Sequence, residues 1–343
     1  MDKSQMNILS RRHDDTREKW GDDGLSKDEA LIIPPCDLWH VADHKTTSVK
    51  TESPDNDKST QIETVLKNTV NPTSQCWAFM GAVGGVGTTT LAVQMAHELA
   101  KLHKDTFKRY RRAEPQICLI DLDFESGSCK HHLDVEPSLS IDDLTSDAIR
   151  IDTTLAQALF STHSSGISVL AAPNLIGANA RVKPETVLAL LDAACEMFPY
   201  VILDLPRNWQ SWSHAALAGS DFVGLLSDLT IPSLHMARTK RNQLAKMFEG
   251  EVSCQIILNK YERRFFNNAL KLSDAQLALQ CDIFGTICVD RDVTREALNC
   301  GEPVGAIRSD SRYVKDSRRL LHKIIEMSKL NIQNIPNTAH IAA

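Results

Sequence analysis

From Cys76 onward, short and continuous apolar runs alternate with longer amphipathic stretches, and this alternation leaves few folds open to the chain. The apolar runs occupy residues 76–81, 116–121, 167–171, 200–204, 222–226, 253–258 and 283–287. Helical spacing marks residues 89–102, 184–197, 232–248 and 311–330. A strand that is apolar on both faces must be covered on both, so the pattern predicts an α/β fold: a mostly parallel sheet with helices on its two faces. Ligands of such sheets collect at the carboxyl ends of the strands. The chemistry is therefore expected just after the apolar runs.

Composition narrows the class further. The chain has 343 residues, 42% hydrophobic and 24% charged, which suits a globular protein of one large or two modest domains. A formal charge of −6 argues against broad nonspecific DNA binding, and no specific nucleic-acid partner is expected. The 9 cysteines are odd in number, scattered, and form no C-x-x-C pair, which fits a reducing cytoplasm. No apolar run approaches the ~18 residues of a membrane span, and no signal core opens the chain, so a cytoplasmic location is expected. Residues 1–75 are rich in Asp, Lys, Ser, Thr and Asn and show neither strand nor helix period. They read as a polar, largely disordered tail, in which Trp20 and Trp39 could anchor a partner. The folded domain is expected over 76–330, with a flexible tail over 331–343.

The first apolar run leads into Gly81-Ala82-Val83-Gly84-Gly85-Val86-Gly87-Thr88-Thr89-Thr90, which opens a helix. Closely spaced glycines let the backbone curl so that successive N–H groups point inward, and the helix N-terminus adds its own unpaired donors. Gly84, Gly85, Val86, Gly87, Thr88, Thr89 and Thr90 are thus the candidate phosphate-binding residues. The Thr89 hydroxyl stands where a P-loop threonine reaches Mg²⁺. A tight turn without a ligand is the alternative, less economical because strand, glycine loop, helix and hydroxyls occur together. A dinucleotide loop would need G-x-G-x-x-G and an acid ~20 residues on; the glycine spacing differs, and Asp121 lies too far along.

These residues resemble the MinD/ParA superfamily, whose deviant Walker A reads K-G-G-x-G-K-T-T. Here Val83 and Thr88 stand where the two lysines belong. The resemblance implies ATP and Mg²⁺ as ligands and a homodimer as the working form. It makes Asp121, at the end of the second apolar run, a residue near the Mg²⁺ shell, and Asp123 the residue that positions the attacking water. Asp204 in Val201-Ile-Leu-Asp204-Leu-Pro206 takes the Walker B place beside Mg²⁺. Asn259 takes the adenine edge, and Val289–Val304 is similar to the stretch that closes over the base, with Cys288 in place of its usual proline. Because phosphoryl transfer rests on positioning and charge, losing two cations is expected to leave binding with slow or absent hydrolysis. Arg207 is a candidate to restore some charge; a surface arginine opening a loop is the alternative.

Within the superfamily the chain resembles the TadZ/CpaE pilus-assembly branch. The matching stretches are Gly85–Ala92, His163–Pro173, Val201–Pro206 and Leu258–Tyr261. This implies a place at a cell pole and partners in the secretion machinery of type IVb (Flp/Tad) pili, with at most peripheral membrane association. The receiver-like domain of many such relatives has no counterpart in the polar first 75 residues. Three function classes follow: a nucleotide-gated scaffold, an active positioning ATPase, and a nucleotide-free interaction protein. Elsewhere, His131 and His132 read as solvated side chains rather than metal ligands. Arg238, Lys240, Arg241 and Lys246 read as the solvated face of a helix, with a ParA-like contact to nucleic acid as the alternative. The helix over 311–330 reads as core packing with a solvated basic face, with a membrane-surface helix as the alternative.

Overall fold

The computed structural model describes residues 74–107, 117–136, 153–250, 252–262 and 270–333. Apart from Ser74 and Gln75, the tail expected over 1–75 lies outside the described residues, as do 334–343.

Along the chain the elements are β1 (Gln75–Gly81), α1 (Thr88–Phe107), β2 (Ile117–Asp121), α2 (Cys129–Leu133), α3 (Thr153–Leu159), β3 (Ser161–Thr162) and β4 (Ile167–Leu170). They continue as α4 (Ala178–Arg181), α5 (Pro184–Met197), β5 (Tyr200–Leu205), α6 (Ser213–Ala218), β6 (Phe222–Ser227) and α7 (Ile231–Met247). The last are β7 (Cys254–Tyr261), α8 (Leu272–Leu279), β8 (Gly285–Cys288), α9 (Arg291–Cys300), α10 (Val304–Ile307) and α11 (Arg312–Gln333).

The strands form one sheet in the order β3-β4-β2-β5-β1-β6-β7-β8. All neighbours run parallel except the two-residue edge strand β3, which pairs antiparallel with β4. The central runs are thus strands buried on both faces, as expected, whereas the run at 283–287 forms the edge strand β8, in which only Ile287 is fully buried. Alternate residues serve opposite faces: Cys76, Ala78 and Met80 of β1 join one core, Trp77 and Phe79 the other. The first core is closed by α5, α6, α7 and α8, the second by α1, α9, α10 and α11. Each fully buried Leu, Ile or Phe contributes about 1.5–3 kcal/mol.

Helix starts follow the sequence. Pro184 opens α5 and Pro232 lies in the first turn of α7, positions where a missing N–H removes no helical bond. A buried polar cluster fixes α1 lengthwise: Arg318 of α11 donates to Glu98 at 2.7 Å, and Gln94 accepts from the Gly305 N–H at 2.9 Å. That anchorage sets the height of the loop at the N-terminus of α1.

Gly224, in the middle of β6, has no room for a side chain. An added Cβ would lie 2.9 Å from Ile257, 3.0 Å from Phe79 and 3.1 Å from Phe222. Gly224→Ala should therefore destabilise by about 1–3 kcal/mol through overpacking. Urea unfolding should show a lower midpoint with an unchanged m value.

Candidate functional site

The loop after β1 is built by its neighbours. Ala82 still donates to the Leu226 carbonyl at 2.7 Å, extending the sheet by one residue before the chain turns away. Gly85 (φ +70°) and Gly87 (φ +91°) carry the turn in left-handed conformations. The next residue, Thr88, begins α1, so the first N–H groups of that helix have no intrahelical acceptor, the arrangement that suits an anion at the loop.

Strand register supplies the acids. Asp121 ends β2, and its Cα partner on β5 is Asp204. Both are buried, Asp204 at 3% exposure and Asp121 at 0%. Thr89 Oγ1 donates to Asp204 Oδ2 at 2.6 Å. Asp121 accepts from the Cys129 N–H at 3.0 Å and from the Asp123 N–H at 3.2 Å. The Cys129 thiol donates to Asp204 Oδ2 at 3.7 Å. Burial raises the Asp121 carboxyl to about 7 and pushes Asp204 well above the usual carboxylate range, an effect the neighbouring Asp121 charge adds to. Neither acid pairs with a Lys or Arg among the described residues. Two facing carboxylates beside a threonine hydroxyl are hard oxygen ligands suited to Mg²⁺. The thiol, raised by burial, remains a protonated donor. Gly127 gives the turn its closeness: a Cβ there would lie 2.4 Å from the Asp121 oxygens.

No lysine lies in the loop; three cations reach it from elsewhere. Arg207, two residues past β5, lies against Gly84, whose Cβ would be 3.1 Å from Nη1. Lys260 Nζ, from the end of β7, donates to the Gly85 carbonyl. Lys240 Nζ, from α7, donates to the Gly81 carbonyl at 2.8 Å and to the Arg207 carbonyl. Lys240 corrects the solvated-face reading, for it is only 7% exposed. Its position was legible: it shares a helical face with buried Leu234, Ala237 and Leu244. Burial, and then repulsion from Arg207, lowers its ammonium to about 8. Unfolded, the same group keeps its proton to near 10.5. Between those values the unfolded chain binds more protons, so Lys240 makes stability rise with pH across that window. The wild-type melting temperature should gain on that of Lys240→Met between about pH 8 and pH 10.

Asn259 is buried, with Nδ2 donating to the Val86 carbonyl at 2.9 Å and Oδ1 accepting from the Lys260 N–H at 2.9 Å. It braces the loop as well as lining the cavity. That cavity, about 940 Å³, is lined by all seven loop residues singled out in the sequence, and by Asp123, Asp204 and Asn259. Asp121 is fully buried and does not line it. On its other side stand Cys288, Val289, Thr294, Leu298 and Tyr313. The Tyr313 hydroxyl is buried without a hydrogen-bond partner among the described residues. His132 corrects another reading: it is half-buried, its Nδ1 at 2.9 Å from the Ser128 carbonyl and its Nε2 at 3.2 Å from Thr90 Oγ1. His131 is exposed, as expected.

A central parallel strand, a glycine loop opening a helix, and a hydroxyl bonded to the acid of the adjacent strand together define a P-loop architecture. The chain matches no protein-family profile. It is 24% identical over 260 residues to the septum site-determining protein MinD of Bacillus subtilis, covering 73% of this chain and 90% of that protein. Among solved structures it is similar to a ParA family ATPase from Chlorobium tepidum, with a TM-score of 0.62 and 20% identity over 74% of this chain and 98% of that one. It is also similar to MinD from Pyrococcus horikoshii complexed with Mg-ADP, with a TM-score of 0.59 and 15% identity over 75% and 98%. The fold is that of the MinD/ParA P-loop ATPases.

Proposed function

We propose that this chain is a MinD/ParA-like scaffold that binds ATP with Mg²⁺, hydrolyses it slowly or not at all, and as a homodimer positions or recruits the assembly machinery of type IVb (Flp/Tad) pili. The observation that carries the reading is a glycine cradle joined to a Thr89–Asp204 pair, with Val83 and Thr88 where two lysines would drive turnover. Main-chain N–H groups of Gly84–Thr90 bind the phosphates, while Thr89, Asp121 and Asp204 hold the cation, partly through water. Mg²⁺, when bound, neutralises phosphate charge. Asp123 lines the cavity and accepts from the Ser126 N–H at 3.1 Å, a placement suited to orienting a water. A cation aimed at the transferring phosphoryl group commonly contributes ~10³-fold or more in rate, so its loss separates binding from hydrolysis.

The pilus assignment rests on the stretches that resemble the TadZ/CpaE branch. It places the protein in the cytoplasm near a pole; no described helix is long and apolar enough to cross a membrane. A second reading, an active positioning ATPase, is favoured by Arg207 and Lys260 at the loop. Fluorescent ATP titrated with Mg²⁺ tests binding, and phosphate release separates scaffold from active enzyme. A fluorescent fusion should form polar foci in piliated cells; diffuse signal there would contradict the pilus role.

A further inference from the structure

Resting on the proposed nucleotide site, we infer that Arg207 and Lys260 take over the phosphate-binding charge that the loop itself lacks, and that Arg207 makes the site prefer a triphosphate over a diphosphate.

The two side chains come from the carboxyl ends of β5 and β7, on opposite sides of β1, and meet the loop at adjacent residues, Gly84 and Gly85. Both are exposed, and neither is paired with a carboxylate among the described residues. Lys260 instead rests on a main-chain carbonyl. In a chain of net charge −6, two cations without a carboxylate partner beside a helix N-terminus form a local positive field. Behind burial, repulsion from Arg207 is the second cause that disfavours the charge on Lys240. A bound polyanion relieves that repulsion.

The backbone at Lys260 is held for this placement. Lys260 has φ +54°, a left-handed conformation rare for a residue with a long side chain, at a register shift between β7 and β8. Its N–H donates to Asn259 Oδ1, and the Asn259 amide in turn grips Val86, so the strained residue and the loop form one unit.

Position separates the two roles. Arg207 follows Asp204 by three residues, and Asp204 with Thr89 marks where a cation would be held and would neutralise the terminal phosphates. A guanidinium on that side, against Gly84, reaches the terminal phosphate in the bidentate manner arginine favours. Lys260, over the crest of the loop, adds a point charge that both nucleotides feel.

Dissociation constants of Mg²⁺-ATP, Mg²⁺-ADP and tripolyphosphate, measured by calorimetry on the full chain and its variants, test the inference. Arg207→Met should weaken ATP and tripolyphosphate by about 10- to 100-fold and ADP by no more than about 3-fold. Lys260→Met keeps the stem and the backbone preference; it should weaken ATP and ADP by a similar factor of about 10. Lys260→Arg should restore most of that loss. The ratio of ATP to ADP affinity is a readout that a merely structural role for Arg207 would not move. If the wild type binds nucleotide and the Arg207→Met, Lys260→Met double variant binds it equally well, the inference is overturned while the proposed site stands. If the wild type binds none of the three probes, the proposed site falls and the inference with it.

Discussion

Gly87→Ala is expected to weaken Mg²⁺-ATP binding by about 100-fold or more. Two effects coincide at this residue. Its φ of +91° lies where an L side chain is strained by about 1–3 kcal/mol. Its Cβ would also come within 2.6 Å of Asn259 Nδ2, the group that donates to Val86. The loop cannot yield without releasing Asn259, and Asn259 cannot move without exposing the Val86 carbonyl and the Lys260 N–H. Either movement turns the main-chain donors away from a common centre. Gly85→Ala is the internal comparison: φ is again positive, at +70°, but no atom lies within 4 Å of the added carbon. It should lose about 10-fold at most, the cost of left-handed strain alone. Calorimetric titration with Mg²⁺-ATP measures both, and thermal melting of the nucleotide-free variants separates loop damage from unfolding.

Asp204→Asn should do two opposite things, abolishing Mg²⁺-dependent nucleotide binding while making the metal-free protein more stable. In the folded chain Asp204 and Asp121 face each other across β5 and β2 with no cation partner among the described residues, and burial raises both. Asn keeps an oxygen to accept from Thr89 and Cys129, and its amide can donate to Asp121, turning repulsion into a hydrogen bond. At about pH 8 without metal the melting temperature should rise by about 3–6 °C. The sign with pH follows from the raised carboxyls. As pH falls the wild-type pair takes up a proton, first at the more strongly raised Asp204, and loses its repulsion, so the variant's advantage should shrink towards acid pH. A metal-free variant that melts below the wild type at pH 8 would contradict this picture of the acids.

Much of the fold was legible because its strands are short, apolar and buried on both faces. The residues of β5 could be read almost to the boundary, as could all of α5 behind Pro184. The same logic placed the loop and the strand-end acids. What escaped depends on features that carry no local period. Two residues of β3 cannot show alternation, and their pairing is antiparallel to the rest. Cys129 reaches Asp204 only through the tight turn that Gly127 permits, which no spacing rule reveals. Lys240 was lost to its charge, although its helical face was apolar. Lys260 adopts a glycine-like conformation without being glycine, held there by Asn259 and the loop rather than by its own preference. The cations at the site were thus the least legible part, since two strands and a helix far apart in sequence bring them to the loop.

If a cradle of main-chain amides grips ATP with Val83 and Thr88 in place of two lysines, titrating Mg²⁺-ATP into the purified full chain while following phosphate release from the same sample will show it. Saturable one-to-one binding, with no phosphate above the nucleotide-only control over several hours, is the predicted result. Absence of saturable binding, or steady multiple-turnover release that Gly87→Ala removes, would contradict it.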